Sequence, residues 1–165
     1  MALPEPRPGL VFRYDYLWSR ESAAGRDQGK DRPTCLLAAS DSVTKPRFVV
    51  ILPITHSPPS GETVGIEIPP RVRQAIGLDD APCWVIISEH NVDEWPNGGL
   101  APLPGRPGVF SYGFIPPSLF ARSGDNFWCW PSRVGARLSA DEARKHQRQT
   151  QMTTRPLKHV ARLSI

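Results

Sequence analysis

The chain has 165 residues, of which 39% are hydrophobic and 22% charged, and a formal net charge of +4 at pH 7. These values are ordinary for a globular protein and indicate one domain with its own core. No stretch approaches the ~18 consecutive apolar residues of a membrane-spanning helix, and three early prolines (Pro4, Pro6 and Pro8) interrupt the N-terminal segment. We therefore expect neither a membrane span nor a signal peptide, and a cytoplasmic location.

The elements that the sequence predicts are short. The 19 prolines, against about eight expected at average usage, favour strands and loops over long helices. Pro69 and Pro70 open a short helix that Gly77 ends, and Pro116 opens one more helical turn. A polar loop covers residues 18–32, and a turn covers 41–46. The predicted strands are, in chain order, residues 9–17, 33–39, 47–55, 63–68, 83–88 and 109–115.

These elements predict a mainly β fold with short helices, arranged as a small curved sheet or half-open barrel. The continuous apolar run within residues 47–55 predicts a strand that is buried on both faces.

Residues 1–132 contain 12 Lys or Arg and 14 Asp or Glu, a net −2, whereas residues 133–165 contain 8 and 2, a net +6. We therefore predict a barrel domain over residues 1–132 and a basic C-terminal tail over residues 133–165, helical or flexible and peripheral to the fold.

Cysteine and histidine spacing gives no sign of a metal site. Cys35, Cys83 and Cys129 are widely spaced among apolar or aromatic neighbours, which is typical of buried free thiols. The four histidines form no i, i+4 pair and lie in no ligand spacing with the cysteines. We expect no metal and no cofactor.

Several stretches, in order, resemble the MazF/PemK/Kid family of bacterial toxin ribonucleases. Pro8-Gly9-Leu10-Val11 is similar to the start of that family's first strand, and residues 25–33 (GRDQGKDRP) are similar to its polar loop. Residues 49–55 (VVILPIT) resemble its strand that ends in Pro-Ile-Thr, and residues 83–89 (CWVIISE) resemble a later strand. The resemblance covers about residues 8–93, with a looser match to residue 127, and leaves the tail outside.

The resemblance implies a small SH3-like curved barrel and a toxin endoribonuclease. Such an enzyme would cut single-stranded RNA or mRNA without metal, through a 2′,3′-cyclic phosphate, and a cognate antitoxin protein would neutralise it. It would act as a homodimer, inhibit growth, maintain plasmids, and contact operator DNA only as a toxin–antitoxin complex. Two departures bear on substrate preference and activity. Arg26 and Asp27 replace the family's Ser and Glu, and Asn91 stands where the family has an arginine.

Metal-free RNA cleavage needs three groups. A base accepts the proton of the 2′-hydroxyl, a fixed positive charge stabilises the phosphorane, and an acid protonates the leaving 5′-oxygen. By the resemblance, Arg32 stabilises the phosphate and is a candidate proton donor, Thr55 hydrogen-bonds the phosphate, and Asp27 or Gln28 orients Arg32 or the ribose. His56 is a candidate from the sequence itself, because an unperturbed histidine titrates near pH ~6.5. The remaining substrate-binding candidates are Arg26 and Lys30, as steering charges, with Trp18, Glu89 and Asn91.

Each of these residues also has a structural interpretation. Arg32 could form a surface salt bridge with Asp31 or Asp27, Thr55 could be a strand residue, and His56 a solvated one. Among the tryptophans, Trp84 fits the core, Trp18 and Trp95 could stack a base, and Trp128-Cys129-Trp130 could anchor the tail. The alternative function is therefore a non-catalytic module of the same barrel fold that binds nucleic acid or a protein.

Overall fold

The computed structural model describes residues 3–40, 47–116, 118–121 and 159–162. The predicted turn at 41–46, the Trp128-Cys129-Trp130 anchor and most of the tail lie outside the described residues. Within them, the strands are β1 Leu10–Tyr16, β2 Lys30–Ala39, β3 Arg47–Thr55, β4 Gly65–Glu67, β5 Trp84–Ile86, β6 Glu89–Trp95, β7 Leu100–Ala101, β8 Ser111–Phe114 and β9 His159–Arg162. The helices are α1 Ser19–Ala23, α2 Pro70–Ile76 and α3 Ser118–Ala121. The prediction of a mainly β fold with short helices is confirmed.

All strand pairs are antiparallel, and three long strands form the centre in the order β3, β2, β1. The outer edge of β3 is divided between two partners: Arg47–Ile51 pair with β6, whereas Ile54 and Thr55 pair with β5. The outer edge of β1 is divided in the same way between β7 and β8. The sheet therefore splays at both sides, and over the described part of the chain it does not close on itself.

The central strands are buried on both faces, as the apolar run within β3 predicts. One face carries Val11, Cys35 and Leu52 and packs against Ile76 of α2 and Leu119 of α3. The opposite face, here called the aromatic face, carries Phe12, Tyr14, Tyr16, Leu36 and Ile51, with Trp18 and Trp95 packed onto it. The ring of Phe12 meets Trp95 edge-on, with centroids 5.1 Å apart.

Helix α2 begins and ends as its sequence indicates. Pro70 lies in the first turn, where the missing N–H is not needed, and Gly77 follows the last residue with φ of 71°, a left-handed conformation that favours glycine. None of the helices in residues 3–40, 47–116 and 118–121 is long and apolar enough to cross a membrane.

Strands β2, β6 and β9 each differ from the sequence-based expectations. Strand β2 begins at Lys30 instead of Pro33, because Tyr14, Asp15 and Tyr16 pair with its polar start. Strand β6 falls in a segment for which no strand was predicted, EHNVDEW, and pairing with β3 holds it in the sheet. At the far end of the chain, β9 pairs with β6, so four residues of the expected peripheral tail extend the sheet.

Candidate active site

Arg32 lies near the start of β2, on the aromatic face of the sheet. On the neighbouring strand β1, Tyr14 lies opposite Arg32 and Tyr16 lies opposite Lys30, so these four side chains share one face of the sheet. Asp31 points to the opposite face, where its carboxylate pairs with Arg13 at 2.5 Å. Asp31 is therefore not available to Arg32, and no carboxylate in the described residues lies within salt-bridge distance of the Arg32 guanidinium.

The Arg32 guanidinium is half-buried, and its main contact is with an aromatic ring. Its central carbon lies 5.1 Å from the centroid of the Trp18 indole, within the range of a cation–π interaction. Its Nε donates to the carbonyl oxygen of Lys30 at 3.4 Å. Burial is the largest influence on its pKa, which it lowers; the nearby carboxylates of Glu21 and Glu89 oppose that effect. The guanidinium is thus a partly desolvated cation, and such a group can bind an anion through charge-assisted hydrogen bonds.

Trp18 is held over the aromatic face by the chain that leads into α1. Its side chain is 8% exposed, and its ring meets Tyr16 edge-on with centroids 5.5 Å apart. A second guanidinium, that of Arg20, lies 5.2 Å from the same indole centroid. Stacking of a base on Trp18 would therefore require one of the two guanidiniums to move away from the ring.

Two glutamates accept hydrogen bonds from the first turn of α1, beside Arg32. Glu89, at the start of β6, accepts from the backbone N–H of Ser19 at 2.6 Å. Glu21 accepts from the backbone N–H of Trp18 at 3.4 Å and lies 3.6 Å from the Arg26 guanidinium. Both carboxylates serve donors at the helix start, where negative charge is favourable.

The hydroxyls of Tyr16 and Ser19 are buried in this region without a hydrogen-bond partner in the described residues. Burial, then the charge of Glu89, raises the pKa of Tyr16, so its hydroxyl stays protonated. Both hydroxyls are therefore enclosed by the protein beneath the surface at which Arg20 is exposed.

The polar loop that precedes β2 closes against the end of β1. A Cβ at Gly29 would lie 2.1 Å from the carbonyl oxygen of Tyr16, so only glycine fits there. Arg26, Asp27 and Gln28 are exposed in this loop, and Lys30 is exposed at the first position of β2. The structure therefore places these predicted side chains at the surface around Arg32.

Thr55 ends β3 at the same edge as Arg32. The last pair of the β2–β3 ladder at this end is Thr34 and Pro53. Arg32 lies two residues beyond it on β2 and Thr55 two residues beyond it on β3, where Thr55 pairs with Trp84 of β5. Its hydroxyl oxygen accepts from the backbone N–H of Ser57 at 3.2 Å, which leaves its proton able to donate. No hydrogen bond or ion pair between described residues joins Arg32 to Thr55.

The His56 side chain is engaged by Pro82 and Asp79, and no contact between described residues joins it to Arg32. Its Nδ1 lies 3.0 Å from the carbonyl oxygen of Pro82, and its Nε2 lies 3.2 Å from a carboxylate oxygen of Asp79. Because the carbonyl can only accept, Nδ1 carries the proton of that hydrogen bond. Proton transfer between His56 and RNA would require the Asp79 contact to open.

Asn91, expected to contact substrate, is fully buried under the site. With its amide oriented to suit its neighbours, its nitrogen donates to the Leu17 carbonyl at 3.0 Å and its oxygen accepts from the Leu17 N–H at 3.2 Å. Asn91 thus fixes the backbone just before Trp18. Asn91 would therefore influence RNA binding only indirectly, by positioning the residues that follow Leu17.

The sequence interpretation missed α1 and with it Arg20. The signal was present: Ser19-Arg20-Glu21-Ser22-Ala23 is compatible with a short helix, Glu21 stands at its third position, and Gly25 follows with φ of 78°. Trp95, the other proposed stacking residue, is 7% exposed and packs on Phe12.

No group of three or more His, Cys, Asp or Glu side chains in the described residues is arranged to hold a metal ion. The cluster instead contains two guanidiniums and two carboxylates, groups that bind phosphates and ribose hydroxyls by hydrogen bonds. Protein-family models give no match to this chain, and neither curated proteins nor solved structures show significant similarity to it.

Proposed function

We propose that the protein is an endoribonuclease that cuts single-stranded RNA without a metal ion. The observation that carries the proposal is the environment of Arg32: a half-buried guanidinium without a carboxylate partner in the described residues, beside exposed cations of one loop. A cation that has lost part of its hydration and forms no direct salt bridge keeps N–H groups that can bind phosphate oxygens.

In the proposed reaction, the 2′-oxygen of a ribose attacks the adjacent phosphorus, and the bond from phosphorus to the 5′-oxygen breaks. A base accepts the 2′ proton, an acid supplies a proton to the 5′-oxygen, and the products end in a 2′,3′-cyclic phosphate and a 5′-hydroxyl. Arg32 stabilises the negative charge that collects on the phosphorane oxygens. Thr55 donates its hydroxyl proton to one of those oxygens, since its oxygen already accepts from Ser57.

Glu89 is one of two carboxylates whose charge acts on Arg32, and its charge also acts on Tyr16. Glu89 is our candidate for the base, with Asp27 and Gln28 orienting the ribose from the loop. His56 serves as the acid only after the Asp79 contact opens.

The same proposal extends to the fold and the partners. The three central strands, with the split edge of β3, suit a small SH3-like barrel of the MazF/PemK type. A toxin of that kind would be a cytoplasmic homodimer, silenced by an antitoxin protein.

The proposal is tested by incubating a mixed-sequence single-stranded RNA with the protein in EDTA and analysing both product ends. Cleavage should proceed and leave a 2′,3′-cyclic phosphate and a 5′-hydroxyl, and DNA of the same sequence should survive because it has no 2′-hydroxyl. A requirement for magnesium, or products that end in 5′-phosphate, would rule out this mechanism.

One observation favours the second candidate function, a binding module without catalysis. Asn91 and His56, two of the residues assigned to substrate, are engaged with Leu17 and Asp79 instead. Induced expression in bacteria separates the candidates: the enzyme should arrest growth and its Arg32→Ala variant should not. A module without catalysis would still bind RNA but leave it intact under all the conditions above.

A further inference from the structure

Two arginines from different elements meet at one indole ring. The guanidinium carbons of Arg20 in α1 and Arg32 in β2 lie 5.2 Å and 5.1 Å from the Trp18 centroid. They are therefore separated by no more than the sum of these two distances. Two like charges at this separation repel, and the charge of Arg20 contributes to the lowered pKa of Arg32.

No described carboxylate neutralises this pair directly. Neither Arg20 nor Arg32 has an acidic group within salt-bridge distance among the residues that the structure describes. Glu21 and Glu89 are close enough to influence Arg32, but their oxygens are engaged by Arg26 and by the backbone N–H groups of Trp18 and Ser19. The two guanidiniums therefore form no direct salt bridge with these carboxylates, and their N–H groups remain available to a ligand.

The indole ring that both arginines contact is held in place by its neighbours. Trp18 is 8% exposed, contacts the Tyr16 ring, and follows Leu17, whose backbone is held by Asn91. Contact with the indole restricts both guanidiniums before any ligand arrives, which lowers the entropic cost of binding. A rigid pair of cations suits a ligand with two anionic groups a short distance apart.

We propose that Arg20 and Arg32 bind neighbouring phosphates of one RNA single strand, with both guanidiniums positioned by their contact with the Trp18 indole. The inference rests on the proposed function in that Arg32 takes the scissile phosphate, and it adds Arg20 as a substrate-binding residue for the adjacent phosphate. Arg20 is exposed and does not touch the reacting atoms. Its contribution is therefore to affinity and to the register of the strand.

The test is the salt dependence of binding to a fluorescent, mixed-sequence 2′-O-methyl RNA, which cannot be cleaved. For single strands, each neutralised phosphate contributes about 0.7 to the slope of log K against log salt. Arg20→Ala and Arg32→Ala should each reduce the magnitude of the slope by about 0.7, and the double variant by about 1.4. Arg20→Lys should keep the slope, because the charge is retained.

Arg71→Ala is the matched control. Arg71 is exposed on α2, and its substitution removes one positive charge at a position far from Trp18 in the sequence. Its slope should equal that of the wild type. The inference is overturned if Arg20→Ala keeps the wild-type slope, if Arg71→Ala loses as much, or if the wild type does not bind this RNA. Reduced slopes in a protein that leaves unmodified RNA intact would support the inference and reject the proposed catalysis.

Discussion

Asn91 is expected to be a large contributor to stability because its amide bridges both backbone polar groups of Leu17 in a fully buried position. In Asn91→Ala, the Leu17 N–H and C=O lose their partners, and each buried unsatisfied group costs about 1–3 kcal/mol. With two such groups, we expect the free energy of unfolding to fall by about 2–6 kcal/mol. Urea denaturation followed by circular dichroism measures the change. A loss below about 0.5 kcal/mol, the scale of an ordinary surface substitution, would refute the bridging role.

Asn91→Asp adds a pH dependence whose sign follows from burial. A neutral aspartic acid can copy the amide, donating its O–H to the Leu17 carbonyl, whereas the carboxylate cannot donate. Burial raises the pKa of this carboxyl in the folded state above about 3.9, its value in the unfolded chain. The unfolded state then releases the proton first, so rising pH favours unfolding. The variant should approach wild-type stability below pH ~3.9 and lose about 1.4 kcal/mol per unit above it, until the folded pKa is reached.

Asn97→Asp is the control for this series. The Asn97 amide also donates to a carbonyl, that of Glu94 at 2.7 Å, and accepts from the Gly99 N–H at 2.8 Å, but its side chain is only partly buried. The carboxylate of Asn97→Asp keeps contact with water, so the stability of this variant should vary less with pH than that of Asn91→Asp. An Asn91→Asp variant whose difference from wild type is independent of pH would contradict the buried position of the amide.

Three further predictions follow from single contacts. Gly29→Ala should lower the free energy of unfolding by about 1–3 kcal/mol because its Cβ would overlap the Tyr16 carbonyl, while Gly98→Ala, with open space around it, should be nearly neutral in the same urea titration. Tyr14→Phe should cost about 1.5–3 kcal/mol because the hydroxyl bonds the Asp93 carboxylate, whereas Tyr16→Phe should be close to neutral because its hydroxyl has no partner in the described residues; equal losses would contradict this. A chain that ends at residue 158 should remain folded but show faster hydrogen exchange at the β6 amides that β9 covers, and unchanged exchange would argue against that pairing.

The fold was largely predictable because its central strands carry their own signal. The continuous apolar run of β3 and the Pro70 and Gly77 boundaries of α2 are local features, and the structure follows them. Strand β6 was not predictable in the same way, since EHNVDEW is mostly polar and is a strand only because β3 lies beside it. The polar start of β2 depends likewise on pairing with Tyr14 and Tyr16.

The candidate site was predictable only in part. The sequence identified Arg32 and its loop, but the companions of Arg32 come from α1 and β6, which lie on either side of it only after folding. Asn91 illustrates the limit: its position in a mostly polar segment gives no sign that its amide hydrogen-bonds the backbone of Leu17. Long-range contacts of this kind have no local pattern in the sequence.

The measurement that tests the central claim most directly is the single-turnover rate of RNA cleavage in EDTA for the wild type, Arg32→Ala and Arg71→Ala. Removing one donor that stabilises transition-state charge typically costs about 10²–10³-fold. We predict a loss of that size for Arg32→Ala and an unchanged rate for Arg71→Ala, with both variants folded by circular dichroism. An Arg32→Ala variant that cleaves at the wild-type rate would contradict the account.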